Sequence, residues 1–122
     1  MAAVDVVDGY VAKLPGDARR LAHAEWGLTV PAEAAGGWPL DVGLRISDEL
    51  LRAQAFIAPH DPAQDAWTLL HWNRQTRLIR FACTRSGDIW AHGDVPVAAV
   101  TDELVDRLLG LLVEAALAVR RP

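Results

Sequence analysis

The 122-residue sequence contains one cysteine and one lysine and has no long apolar run. The single cysteine, Cys83, cannot form an internal disulfide, which favours a reducing compartment. No run of about eighteen apolar residues is present, and the N-terminal residues lack the basic region of a secretory signal. We therefore expect a cytoplasmic protein without a membrane partner.

Basic residues are also scarce. The chain has 12 Lys and Arg residues against 16 Asp and Glu residues, and its formal net charge is −4. A nucleic-acid-binding surface needs an excess of basic side chains that displaces counterions from the phosphates. We therefore expect no nucleic acid among the partners.

Residue types that carry catalysis are present, but they do not form a recognisable motif. The four histidines are not spaced as a helical metal pair, and no second cysteine could complete a zinc site. Ser47 and Ser86 lie in predicted turns without the context of a catalytic nucleophile. Cys83 lies in an alternating strand, which predicts a buried, inert thiol. The sequence therefore predicts no enzyme activity, no metal and no cofactor.

Hydrophobic residues make up 52% of the chain, which is enough for one domain with its own core. We expect a single domain over residues 1–122. Alternation of apolar and polar residues predicts five antiparallel strands, at residues 24–30, 40–46, 50–57, 77–84 and 88–94. A glycine at position 87 favours a hairpin between the last two strands. After Pro15 and Gly16, residues 17–21 suggest a short restarted helix.

Apolar spacings and capping residues predict three helices, at residues 3–14, 62–73 and 102–119. Asp61 is the expected N-cap of the second helix, with Pro62 at its first position. Asn73 is the expected left-handed stop of that helix. Trp67 lies on its apolar face, which predicts that its indole packs in the core.

The last helix is apolar over a wider arc than one sheet contact needs. Thr101 is its expected N-cap, and Arg120 and Arg121 suit its negative end. Either the helix is enclosed within its own domain, or one apolar stripe packs against another copy. We predict the second arrangement, a two-fold homodimer. Its candidate contacts are Leu109, Leu112 and Ala116.

Large aromatic and basic side chains surround the predicted hairpin. We predict a groove beside the sheet that is lined by Trp72, Trp90 and His92 and edged by Arg74 and Arg80. Indoles supply contact area at little cost in rotamer entropy, and arginines favour an acidic or C-terminal carboxylate partner. The groove would bind an extended protein segment. Alternatively, the indoles are packed into the fold and the arginines are paired on the surface.

Two functions from different classes fit these features. The first is a non-enzymatic domain that binds a protein or peptide. The alternative is a regulatory domain that binds a small molecule in a Trp-lined pocket. An elongated groove or an open sheet edge favours the first function, and a closed concave pocket favours the second.

Several features between residues 69 and 112 occur together in one known family. They are a helix that closes in Asn73, a strand of the type L-I-R-F-A, a Gly-Asp turn, a Val-Pro strand end and an L-x-x-L-L-x-x-L-L helix. In this order they resemble the YbjN-like family, small bacterial proteins described as type III secretion chaperone-like or as sensory transduction regulators. The resemblance implies an α+β fold of order α-β-β-β-α-β-β-α. It also implies similarity to dimeric chaperones that bind an extended partner segment, and it brings no catalytic residues.

Overall fold

The computed structural model describes residues 2–120, which form one antiparallel sheet packed against helices. Three helices and six strands follow one another along the chain. In order they are α1 (Ala3–Lys13), β1 (Ala18–Ala22), β2 (Glu25–Val30), β3 (Leu40–Ser47), β4 (Leu50–Ala58), α2 (Ala66–Trp72), β5 (Ile79–Cys83), β6 (Ile89–Pro96) and α3 (Asp102–Val119). No helix among the described residues is long and apolar enough to cross a membrane.

The strand order across the sheet is β1-β2-β3-β4-β6-β5, so β1 and β5 form its two edges. This arrangement confirms the predicted α+β class and antiparallel sheet, but the predicted number of five strands is wrong. The sixth strand is β1, which pairs with β2 where a helical restart was expected. Arg19, Arg20 and Leu21 are all exposed on this edge strand. Its sequence therefore lacks the alternation that identifies a half-buried strand.

The core lies on one face of the sheet, where α1 and α3 cover the strands. Trp26 of β2 is 1% exposed and is the largest fully buried side chain. Its indole Nε1 donates to Asp8 Oδ1 of α1 at 2.8 Å, so the one polar atom of the ring is satisfied.

Thr101 caps α3 as predicted, because its hydroxyl accepts from the Leu104 amide at 3.1 Å. Most of the wide apolar arc of this helix is covered within the same chain, by the sheet on one side and by α1 on the other, while Leu104 and Leu111 remain half-buried. Tyr10 of α1 donates to Asp106 of α3 at 2.7 Å and fixes that contact. The residues predicted to contact a second copy are instead packed in the core of their own protomer; these are Leu109, Leu112 and Ala116. Arg121 lies outside the described residues.

The second helix starts later than predicted. Its N-cap is Asp65, whose carboxylate accepts from the Trp67 amide at 2.9 Å, whereas Asp61 accepts from the Ala63 amide in a preceding turn. Both aspartates have capping chemistry, and the sequence alone did not distinguish them. The resulting helix has seven residues and buries Leu69. Trp67 is 78% exposed, so its predicted place in the core is wrong.

Asn73 attaches α2 to the edge strand β5. Its Oδ1 accepts from the Phe81 amide at 2.7 Å, and its Nδ2 donates to the Phe81 carbonyl at 3.2 Å. This pair of bonds occupies part of an otherwise unpaired strand edge. The backbone of Asn73 is right-handed, with φ at −59°, so the predicted left-handed stop is wrong. Cys83 is exposed at the end of this edge strand, and its predicted burial is wrong as well.

Candidate functional site

The face of the sheet opposite α1 and α3 is not covered by any helix within residues 2–120. Side chains on this outer face alternate along each strand with those of the core. In β4, Arg52 and Gln54 are exposed, whereas Leu51, Ala53 and Ala55 between them are buried. The outer face is therefore an open surface of the sheet that α1 and α3 do not cover.

One row of residues crosses all six strands on this face. The pairing register places its members side by side; they are Arg19, Gly27, Gly43, Gln54, His92 and Arg80. We call them the glycine row. Because Gly43 has no side chain, the surface is depressed in the middle of the sheet. The Leu21 side chain of β1 lies over Gly27, with its Cδ1 atom 3.2 Å from the position that a Cβ would take there. A Cβ atom at Gly43 would meet only Gln54 Cγ, at 3.8 Å, so the space above it is open.

Two further rows form the walls of this depression. The charged row runs along one side and consists of Glu25, Arg45, Arg52 and Asp94. The aromatic row runs along the other side, where the ring centres of Phe56 and Trp90 are 5.6 Å apart and those of Trp38 and Phe56 are 5.9 Å apart. We call the whole depression the sheet trough. It contains a cavity of about 490 Å³ over Gly43, which continues past Gln54 and His92 into one of about 180 Å³ beside Trp90.

Asp94 lies between two arginines at one end of the charged row. Its Oδ1 accepts from Arg52 Nε and its Oδ2 accepts from Arg80 Nη2, both at 3.2 Å. Burial acts to raise the pKa of Asp94, but the bonds and charges of Arg80 and Arg52 outweigh it, so the pKa lies below its usual value. The carboxylate is therefore ionised at neutral pH, and two guanidinium groups share its single negative charge.

His92 stands beside this cluster on the floor of the trough. Burial lowers the pKa of its imidazole, the charges of Arg80 and Arg52 lower it further, and Asp94 acts in the opposite direction. The ring is therefore neutral at pH 7. Its centre is 6.2 Å from that of Trp90, so the two rings form one continuous surface.

Arg120 fixes the position of Trp38 from the far end of the chain. Its guanidinium carbon lies 3.4 Å from the centre of the indole ring. The same group donates to carbonyl oxygens at the end of β4 and in the loop before β3; these belong to Phe56, Ile57, Ala35, Trp38 and Pro39. Burial lowers the pKa of Arg120, and the charge of Asp41 opposes that effect. Arg120 therefore holds one end of the aromatic row.

The structure brings three of the five predicted site residues together. Trp90, His92 and Arg80 all lie on the outer face. Trp72 contacts Phe81 on the helix-covered face, with ring centres 5.9 Å apart, and therefore lies on the opposite side of the sheet from Trp90. Arg74 is exposed in the turn that follows α2. The single groove that we predicted from all five residues is not formed.

The sequence did not predict the glycine row. A glycine inside a strand often marks a bulge, but the register of β3 is continuous through Gly43. The one indication of it in the sequence was an outward-facing glycine in each of two consecutive strands, Gly27 in β2 and Gly43 in β3. Its meaning depends on the register, which places Gly27 beside Gly43.

Two other surfaces carry large apolar groups. A hollow of about 430 Å³ between α2 and α3 is lined by Trp72 and by Leu111. A hollow of about 300 Å³, formed almost entirely by apolar atoms, lies between α2 and the β5 edge, and Trp67 and Leu70 are exposed on this helix. The described residues contain no group of three or more side chains that could hold a metal ion.

Solved structures with this fold include three proteins of low sequence identity. The crystal structure of the Yersinia pestis type III secretion chaperone SycH with a stable fragment of YscM2 matches with a TM-score of 0.73 and 14% identity, over 95% of this chain and 98% of that chain. The HopA1-SchA chaperone-effector complex matches with a TM-score of 0.73 and 15% identity, over 95% and 91%. The ExsC-ExsE complex matches with a TM-score of 0.70 and 17% identity, over 98% and 95%.

At these identities the likeness establishes the fold alone. No curated protein matches the sequence. A family model does match it, over residues 35–121, which is most of the chain. That model describes a "Putative bacterial sensory transduction regulator", and the matched region runs from the loop before β3 through α3. The chain belongs to the YbjN family.

Proposed function

We propose that this protein is a non-enzymatic, chaperone-like domain that binds an extended segment of another protein in the sheet trough. The observation that carries the proposal is the glycine row, in which Gly43 leaves the floor open while the Leu21 side chain covers Gly27. A partner backbone could approach the sheet closely there. The aromatic and charged rows on either side supply apolar contact area and polar anchors.

The dimensions of the trough suit a short extended segment. Six strands lie side by side, and neighbouring strands are about 4.8 Å apart, so the glycine row spans about 24 Å. An extended chain rises about 3.4 Å per residue, so about seven residues would cross the sheet. Binding of an extended segment to a preformed surface is a recurring mode of peptide recognition.

Proteins with the same fold support the proposal. SycH is a type III secretion chaperone whose crystal structure contains a fragment of YscM2, and HopA1-SchA is a chaperone-effector complex. Both names describe a protein that is bound to another protein. A shared fold does not fix a function, so the proposal rests on the sheet trough, and these structures with the same fold support it.

The shape of the surface argues for a segment and against a small molecule. The sheet trough is an open depression over several strands, whereas small-molecule sites are concave pockets that enclose most of the ligand. The hollow between α2 and α3 is lined by a single tryptophan, Trp72. It therefore does not match the Trp-lined pocket that the alternative function requires.

A displayed library of random peptides about twelve residues long tests this proposal, because such peptides exceed the span of the trough. Peptides selected on the wild-type protein are synthesised and titrated by fluorescence anisotropy. Gly43→Val places a side chain in the trough, where space is open. Gly110→Val, on the exposed face of α3, is the matched control because a Cβ there also meets nothing within 4 Å.

We expect Gly43→Val to weaken peptide binding by at least about tenfold, because it fills the floor that the peptide backbone would occupy. The control should bind like the wild type. Circular dichroism must show that both variants are folded. Equal binding by Gly43→Val and the wild type would contradict the proposal, as would a library that enriches no peptide.

A homodimer is also part of the proposal, but its surface must differ from the one predicted from α3. Trp67 and Leu70 are exposed on α2, and Leu70 lines the hollow at the β5 edge. Edge strands and apolar patches of this kind are common sites of self-association. Sedimentation at tens of micromolar should give a dimer for the wild type and a monomer for Trp67→Arg. Leu117→Arg, at an exposed leucine of α3, is the control and should remain dimeric.

We place this function in the cytoplasm. Cys83 is exposed and is the single cysteine of the chain, so it has no partner for an internal disulfide. Exposed free thiols are more compatible with a reducing compartment than with an oxidising one.

A further inference from the structure

The charges of the sheet trough are unevenly distributed. The residues that line its main cavity include three acidic and two basic ones; these are Glu25, Asp48, Asp94, Arg45 and Arg52. Arg80 reaches Asp94 from the edge strand β5 and adds a third positive charge at that end. With Arg80 counted, three positive charges face three negative charges around the main cavity, so any preference for acidic partners must be local.

The local excess lies where Arg52 and Arg80 share Asp94. Each arginine makes one bond of 3.2 Å to a different oxygen of this carboxylate. A guanidinium group has five N–H donors, so most donors of both groups remain available. The two side chains are each 51% exposed, whereas that of Asp94 is 25% exposed. An incoming anion would thus meet the arginines before it meets the carboxylate.

Apart from Asp94 itself, the neighbouring residues His92, Gln54 and Trp90 add no anion to this end. His92 is paired with Gln54 on one side and with Arg80 on the other, and its imidazole is neutral at pH 7. Trp90 stands next to it and offers an apolar surface. The arrangement combines a double guanidinium anchor with an aromatic surface.

We propose that the bound segment carries one Asp or Glu side chain whose carboxylate accepts hydrogen bonds from both Arg52 and Arg80, next to an apolar residue that packs on Trp90. This inference rests on the proposed function and specifies the chemistry of the partner. It also fixes the position of the acidic residue, because only the β4-β6-β5 end of the trough carries the double anchor.

Library-derived peptides about twelve residues long provide the probe. Each selected peptide is synthesised in two forms, one with its acidic residue and one with the corresponding Asn or Gln. Both forms have an amidated C-terminus. The proteins are the wild type, the double variant Arg52→Gln/Arg80→Gln, and Arg74→Gln as a control. Arg74 is an exposed arginine in the turn after α2 and lies away from the trough.

The wild type and the control should prefer the acidic peptide by about fivefold to tenfold, as expected for charge-assisted bonds at a partly exposed site. The double variant should bind both peptides equally, with the affinity that the wild type has for the amide peptide. A preference that survives in the double variant would overturn the inference, as would equal binding of both peptides by the wild type. Binding that requires a free C-terminus would also overturn it, because the carboxylate would then be the terminal one.

The same peptides separate the two proposals. If the acidic preference is absent but Gly43→Val still weakens binding, the trough is the site and only the acidic anchor is wrong. If Gly43→Val has no effect, the trough itself is wrong. Circular dichroism of each variant establishes that a loss of binding is not a loss of fold.

Discussion

At the scale of single residues, Arg120 joins parts of the chain that are far apart in sequence. Its guanidinium donates to the carbonyl oxygens of Ile57 at 2.7 Å, Ala35 at 2.8 Å and Trp38 at 2.7 Å. These bonds hold the loop before β3 against the end of β4. Because the donors are charged and partly buried, each bond contributes more than an ordinary surface contact.

Replacing Arg120 with alanine should lower the free energy of unfolding by about 2 kcal/mol, because several carbonyl oxygens lose their donor. Arg120→Lys should not restore the stability, since a lysine ammonium lacks the planar fork that reaches several carbonyls at once. Urea denaturation measures both effects. Arg107→Ala, on the exposed face of α3, is the control. A change within about 0.5 kcal/mol for Arg120→Ala would contradict this role.

The pKa of His92 predicts how stability depends on pH. It lies below the value of about 6.5 that the residue has in an unfolded chain, so the unfolded state binds more protons between the two values. The neutral imidazole therefore stabilises the fold fully above about pH 6.5, and this contribution is lost as the pH falls through the folded-state pKa. Arg80 and Arg52 face the ring and reinforce the shift, whereas Asp94 opposes it.

Urea denaturation between pH 7 and pH 5 checks this sign. Wild-type stability should decrease as the pH falls, and His92→Gln should show a shallower decrease because the titrating group is gone. His71→Gln removes an exposed histidine of α2 and serves as the control. Identical slopes for the wild type and His92→Gln would show that His92 does not contribute.

At the scale of elements, the N-terminus of α3 depends on one hydroxyl. Thr101 accepts from the Leu104 amide at 3.1 Å, and Asp102 and Glu103 follow it in the first turn. Thr101→Ala should cost about 1 kcal/mol in the free energy of unfolding, and Thr101→Ser should cost much less because it keeps the acceptor. Chemical denaturation compares the two variants. Equal stability of Thr101→Ala and the wild type would mean that the hydroxyl is not the effective cap.

Replacing a glycine with alanine should affect the stability of the fold differently on the two faces of the sheet. A Cβ at Gly93 would lie 2.7 Å from Leu108 Cδ1 and 3.0 Å from the Leu78 carbonyl, because α3 packs directly on this part of β6. Gly93→Ala should therefore destabilise the fold by about 2 kcal/mol. Gly43→Ala, on the open face, should be neutral or slightly stabilising. Thermal unfolding of both variants measures the difference, and similar losses at both positions would contradict the assignment of faces.

The elements that could be predicted from sequence are those with one buried face. β3, β4 and α3 have regular apolar spacings, and their predicted ranges agree closely with the structure. β1 could not be predicted because an exposed edge strand has no buried face to produce alternation. The start of α2 was misplaced because Asp61 and Asp65 both suit a cap.

The candidate site could be predicted only where its residues are neighbours in the hairpin. Trp90 and His92 are two residues apart in one strand, so alternation places them on one face. Trp72 was grouped with them wrongly, because spacing does not show which face of the hairpin meets the helix. The glycine row depends on the register of six strands, and the contacts of Arg120 depend on tertiary structure; neither is encoded in a local pattern.

At the scale of the whole molecule, the helices and the proposed function occupy different faces of one sheet. α1 and α3 cover the core, and α2 lies beside the β5 edge. The outer face carries the glycine row, the charged row and the aromatic row. The central claim is that this outer face binds an extended protein segment.

Nuclear magnetic resonance of the ¹⁵N-labelled protein, titrated with a library-selected peptide, tests that claim most directly. The five tryptophans each give an indole N–H signal, and they are distributed between the outer face, the core and the helices. The indole signals of Trp90 and Trp38 should shift with the amides of Gly43 and Gln54, while that of the buried Trp26 stays unchanged. Shifts confined to α2 and α3, with Trp90 and Gly43 unaffected, would contradict the account.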